Sequence, residues 1–175
     1  MRRVKRNFST TPETELGGMS REMFFFVTEK FCPFVKEVFG PSIEHAKVGE
    51  LTMKLPFKKI LIGNPVNRCY HGGVVATMLD HVGGFCAWTS LMDPHQRIST
   101  VDLQIDYLTP APLETLYFDA VISHRSKTLI RSDIVCWNSD RSKKIASGRG
   151  LFNIYTAPHD ITVMQKSLEK LVSQK

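Results

Sequence analysis

The sequence predicts an α+β domain in which one buried helix is packed by an antiparallel sheet. Three observations carry this. Gly73 to Trp88 contains no Pro, Lys, Arg or Glu and is apolar on nearly every side, the pattern of a helix enclosed by protein. Four strand-like segments follow: Ser99 to Leu108, Thr115 to His124, Thr128 to Asn138 and Lys144 to Tyr155. Their separators, such as His124-Arg125-Ser126-Lys127 and Asn138-Ser139-Asp140-Arg141-Ser142, are short and polar, as in hairpin loops. Long neighbouring strands after one apolar helix form a layered architecture.

The elements follow in order. Residues 1–18 are expected to be a basic tail, residues 19–158 the domain and residues 159–175 a C-terminal helix. The last carries Ile161, Met164, Leu168, Leu171 and Val172 at helical spacing. A first helix is expected over residues 20–39, with Ser20 as N-cap. Phe24, Val27, Phe31, Phe34, Val35 and Val38 recur at steps of three and four, and Pro33 predicts a kink or two short helices. So many phenylalanines could also serve a membrane surface, but packing into the core or over a pocket is the ordinary use of such a stripe. Gly40-Pro41 ends it. His45 to Leu55 alternates loosely and predicts a strand, followed by a second apolar run, Phe57 to Ile62, and the turn Gly63-Asn64-Pro65-Val66-Asn67. The central helix is expected over residues 73–90, closed by Asp93-Pro94. In the next strand Val101, Leu103, Ile105 and Tyr107 form one face, and Asp102, Gln104 and Asp106 the other.

Composition narrows the function. The 175 residues suffice for one domain with a proper core. No apolar run reaches the roughly 18 residues of a membrane span, because Asp80 and His81 interrupt the best candidate. The net charge of +6 comes largely from Arg2, Arg3, Lys5 and Arg6, which precede the first acid, Glu13. A domain-wide footprint for nucleic acid is therefore not expected. The same basic, hydroxyl-rich head fits either a short mitochondrial transit segment or a plain basic tail, so the matrix and the cytoplasm both stay open. Cys32, Cys69, Cys86 and Cys136 are widely spaced with no CxxC pair, which favours free thiols and gives no metal-ligand spacing.

The central helix carries the chemistry. His71-Gly72-Gly73 stands at its entry, where amide groups lack intrahelical partners and the dipole favours negative charge. Asp80, its single carboxylate, lies about two turns further on. A donor for an oxyanion and a base for water are what attack on a carbonyl requires. His81 points to another side of the helix and is expected to be structural. Gly72 and Asp80 are eight residues apart, about 12 Å along a helix axis. One straight helix cannot bring both groups to the same carbonyl. A two-fold partner can, by setting the Asp80 end of one helix against the Gly72 end of the other.

Three blocks, in order, carry a resemblance: His71-Gly72-Gly73 with Asp80; Thr100-Val101-Asp102-Leu103-Gln104-Ile105-Asp106-Tyr107-Leu108-Thr109-Pro110-Ala111; and Ala146-Ser147-Gly148-Arg149-Gly150-Leu151-Phe152. Over about residues 45 to 155 the chain resembles the hotdog-fold acyl-coenzyme A thioesterases, most of all the phenylacetate-pathway (PaaI) type. The resemblance implies a long central helix wrapped by an antiparallel sheet, in dimers and often dimers of dimers, with no cofactor beyond the coenzyme A of the substrate. It implies that the Gly72 amide polarises the thioester carbonyl and that Asp80 is general base or nucleophile. Thr100 would place the water or the acid, and His71 would orient the loop. Asn64, Asn67 and Gly73 would line the substrate. Arg125, Lys127, Thr128 and Arg149 would meet the coenzyme A phosphates, since anions need cations at the mouth of the site. Pro65 departs from the family, which often has Asn or Gln six residues before the motif His. Two other readings keep the fold: a hotdog enoyl-CoA hydratase or dehydratase, and a non-catalytic acyl-CoA-binding module.

Overall fold

The computed structural model describes residues 15–93 and 95–156; the expected basic tail and C-terminal helix fall almost wholly outside them. Helix α1 (Arg21–Phe31) leads through a π-helical turn, Val35–Phe39, into strands β1 (Ser42–Lys47) and β2 (Glu50–Leu55). Helix α2 (Gly72–Trp88) follows. Four long strands complete the fold: β3 (Gln96–Tyr107), β4 (Leu116–Arg125), β5 (Leu129–Trp137) and β6 (Lys144–Thr156). All six pair antiparallel in one sheet, in the order β1-β2-β4-β5-β6-β3.

Helix α2 packs against β2, β3, β4, β5 and β6. Val75, Met78, Leu79, Val82 and Cys86 are buried along it, so the sheet wraps the helix and the core lies between them. Gly83 permits the closest approach. A Cβ there would stand 2.9 Å from Ile134 Cδ1 and 3.2 Å from Phe152 Cζ. The end of α2 is tied to the first hairpin. The Thr89 hydroxyl donates to Cys86 O (2.6 Å) and accepts from the Gly49 amide (2.8 Å), which satisfies a buried polar group on both sides.

The expected first helix is divided in two. Ser20 does cap α1, its Oγ accepting from the Met23 amide at 3.3 Å. The helix stops at Cys32 (φ −128°, ψ 77°), because Pro33 disfavours helical geometry in the residue before it. The π turn then closes on Gly40, which sits at φ +68° and donates its N–H to Val35 O. Phe24, Val27 and Val35 are buried, whereas Phe31 and Phe34 keep 51% and 59% of their surface exposed. The stripe is thus only partly core.

Two further expectations change. His45 to Leu55 is not one strand. It belongs to the β1–β2 hairpin, which turns at Gly49 (φ +79°) and carries a Lys47–Glu50 ion pair of 2.9 Å. Strand β3 does not keep a single alternating face. Opposite β6, Thr100 pairs with Phe152 and Asp102 with Leu151, which leaves Val101 as a bulge. The extra residue shifts the phase of the strand. Ile98 and Thr100 face α2 before it, Ile105 and Tyr107 after it, and Val101 is 58% exposed.

Candidate active site

The entry of α2 is built by a short loop. Ile62–Asn64 pairs with Cys69–Tyr70, and the His71 amide donates to Leu61 O at 3.0 Å. Gly63 lies directly on His71, since a Cβ there would fall 2.3 Å from His71 Cα. The His71 side chain is the N-cap: its Nδ1 accepts from the Gly73 amide at 2.9 Å, so the ring proton sits on Nε2. On the other side of the same peptide, the Tyr107 hydroxyl donates to Gly72 O at 3.0 Å. The Gly72–Gly73 peptide is therefore held from both ends. The Gly72 amide makes no hydrogen bond among the described residues, and Gly72 is exposed. Of the two glycine amides at the helix N-terminus, it is the one left for an incoming oxygen.

Asp80 lies two turns along α2 and is half-buried. The Thr100 hydroxyl donates to its Oδ1 at 2.9 Å, an interaction that depends on the β3 bulge for its direction. Asp80 and Thr100 line a cavity of about 330 Å³ whose walls include Phe31, Phe85, Trp88, Phe152 and Tyr155. The Phe85 and Trp88 rings are stacked 5.7 Å apart, and the Arg97 guanidinium lies 6.0 Å from the Trp88 ring centre. His81 also lines this cavity, its ring edge-on to Phe85 at 4.6 Å. Burial lowers its pKa to about 4, so the imidazole is neutral at pH 7. Gly72 opens instead onto a separate cavity of about 320 Å³, with Tyr70, Val75, Tyr107, Ala111 and Ile145. Within one chain Asp80 and Gly72 do not share a cavity.

The remaining expected residues lie in three places. Asn64 Oδ1 accepts from the Asn67 amide at 2.9 Å and thereby closes its own turn, with both residues exposed beside Pro65. Arg125, Lys127 and Thr128 are exposed on the β4–β5 hairpin, whose Thr128 O accepts from the Ile154 amide at 2.7 Å. This hairpin is at the sheet end that supplies Tyr155 to the Asp80 cavity. Arg149 lies on β6 with its Nε 3.7 Å from Asp133 Oδ1. Among the described residues no cluster of His, Cys, Asp and Glu could hold a metal.

Sequence reasoning missed Tyr107, which it placed on an apolar face, and Cys32 as a wall of cavities, whereas Phe31 does line a cavity, in keeping with a phenylalanine stripe that covers a pocket. The signal for Tyr107 was its position near the end of β3, from which a long polar-tipped side chain reaches back to the helix entry.

A family model described as the thioesterase superfamily matches residues 69–145. A Halobacterium salinarum protein named as a candidate esterase is 29% identical over 122 residues, spanning 66% of this chain and 81% of its own. Among solved structures, a Pseudomonas aeruginosa protein is 28% identical with a TM-score of 0.63, covering 74% of this chain and 98% of that one. A thioesterase family protein from Silicibacter pomeroyi gives a TM-score of 0.68 at 22% identity, covering 77% and 99% of the two chains. The fold is that of the hotdog thioesterases, and residues 69–145 match the thioesterase superfamily.

Proposed function

We propose that the protein hydrolyses acyl-coenzyme A thioesters to free acid and coenzyme A. The observation that carries the reading is the Asp80 carboxylate, held at 2.9 Å by Thr100 on the wall of an aromatic-lined cavity. Thr100 leaves the other carboxylate oxygen free to accept a proton. In the proposed reaction Asp80 takes a proton from water as the water oxygen bonds to the thioester carbon. The carbonyl oxygen gains negative charge and accepts a hydrogen bond from the Gly72 amide. The C–S bond then breaks, and the departing thiolate takes up the proton from Asp80. In this reading Arg125 and Lys127, exposed on the hairpin at that end of the sheet, meet the coenzyme A phosphates.

The separation of Asp80 from Gly72 supports a site completed by a second copy. Strand β3 forms one edge of the sheet, and Val101, Tyr107 and Leu108 are exposed on or beside it. A long edge strand offers a row of unpaired backbone groups for pairing, and a two-fold partner there would bring a second Gly72 toward Asp80.

The test is release of free thiol from a panel of acyl-CoAs of different chain length and aromaticity. Turnover of at least one, with free acid as product, is expected. Tight binding without turnover would identify a binding module, and formation of an enoyl product from a 3-hydroxyacyl-CoA would identify a dehydratase; either result overturns the proposal.

A further inference from the structure

We infer that the space beneath α1 is a second chamber of the acyl site, entered by an acyl chain that passes between Cys32 and His81. The inference rests on the acyl-thioester reading above and adds to it the part of the substrate that sets chain length. A second cavity, of about 140 Å³, lies between α1, α2 and the start of the β1–β2 hairpin, with Phe25, Thr28, Pro41, Ile43 and Met53 in its walls. Ile43 and Met53 face each other as cross-strand partners. Cys32 and His81 line both this cavity and the larger one that holds Asp80. They are therefore the partition between the two.

The placement is directional. Asp80 lines only the larger cavity and His81 lines both, so an acyl chain leading from a carbonyl at Asp80 into the smaller cavity passes the imidazole. Cys32 supplies the other side of the passage from the irregular junction where α1 has ended and the π turn has not begun. The chemistry of the far chamber suits hydrocarbon. Its Thr28 hydroxyl is already engaged, donating to Phe25 O at 2.9 Å. Its charged groups, Lys36 and Glu29, pair with each other at 3.0 Å on the exposed side. The neutral His81 ring adds no charge to the passage. At about the volume of a water molecule per methylene, 140 Å³ accommodates roughly four or five methylenes beyond those held in the larger cavity.

The experiment measures binding of non-hydrolysable thioether analogues of acyl-CoA, in a series of increasing chain length, to the wild type, Ile43→Trp and Cys32→Phe. Ile43→Trp fills the far chamber from a half-exposed position outside the catalytic groups, and Cys32→Phe narrows the passage. For the wild type, affinity should continue to rise with length after the first cavity is full. Ile43→Trp should bind the short analogues as the wild type does and the long ones about tenfold or more weakly. Cys32→Phe, whose ring also touches the larger cavity, should show the same loss for long analogues relative to its own binding of short ones. Thermal melting identifies a variant that fails to fold, and the other then decides. The same length dependence in wild type and folded variant overturns the inference, as does failure of every analogue to bind. Thiol release from a short acyl-CoA is followed in parallel. Length-dependent binding that the variants abolish, without any turnover, removes the hydrolase reading and keeps the chamber. Turnover with no length dependence does the reverse.

Discussion

At the scale of single residues, the account turns on Asp80 and its hydrogen bond to Thr100. Asp80→Asn keeps shape and packing but cannot take a proton, so kcat should fall by about 10²–10⁴-fold while the melting temperature holds. Thr100→Val should lower kcat less, and Thr100→Ser should restore it, because the role is orientation through a hydroxyl. Near-native turnover by a folded Asp80→Asn would remove Asp80 as the base. His81 gives a separate prediction. Its pKa in the folded protein is about 4, from burial, against 6.5 when unfolded. Between those values the unfolded chain binds more protons, so the His81 contribution to stability is complete above about pH 6.5 and is lost as pH falls toward 4. Asp80 and Arg97 border the same cavity, and the Glu29–Lys36 pair lies across the smaller one. Because these charged groups face His81 from several elements, the measurement is a difference between two proteins. His81→Leu should lose less melting temperature than the wild type between pH 6.5 and 4. Identical pH profiles would contradict the burial argument.

At the scale of elements, the helix entry depends on backbone contact rather than on side-chain chemistry. Gly63→Ala would place a Cβ 2.3 Å from His71 Cα, so the loop must move and carry the His71 cap with it. A loss of about 1–3 kcal/mol is expected from such overpacking, with kcat/KM falling further than stability alone explains. Unchanged melting and kinetics would show that the loop is not fixed by this contact. The same scale shows what could be read in advance. The apolar run of α2 and the alternation of β4, β5 and β6 were legible because burial on one or all sides writes itself into residue order. The β1–β2 turn was not legible, because Lys47-Val48-Gly49-Glu50 lacks the Asn-Gly or Asp-Gly signal and only Gly49 takes positive φ. The Val101 bulge was equally hidden. Alternation of Val101, Leu103, Ile105 and Tyr107 pointed to one face, and only pairing with β6 shows that the phase shifts at Val101. That shift is what directs Thr100 and Tyr107 to the two ends of the site. His71, Gly72, Asp80 and Thr100 could be nominated from their spacing and from the family resemblance. The break at Pro33 and the use of the phenylalanines as cover were legible too, but not the cavities that Cys32 and His81 share under α1, since these arise from the packing of α1 against α2 and the first hairpin.

At the scale of the whole molecule, a single copy holds Asp80 and Gly72, the proposed base and oxyanion donor, in different cavities. The exposed β3 edge offers the place where a second copy would join them. If the proposed dimer forms there, light scattering should report a dimer for the wild type and a monomer for Val101→Lys, which puts a charge on that edge, with activity lost in proportion. A monomeric wild type with full activity would exclude a shared site. The most direct measurement mixes two inactive proteins. Gly72→Val blocks approach to the amide yet should fold, since an added Cβ there meets the Tyr107 ring only at ordinary contact distances of 3.7–3.8 Å; Asp80→Asn removes the base. After subunit exchange, with heterodimers counted by native mass spectrometry, thiol release should return toward one intact site per heterodimer. Heterodimers that form and remain inactive would contradict the account.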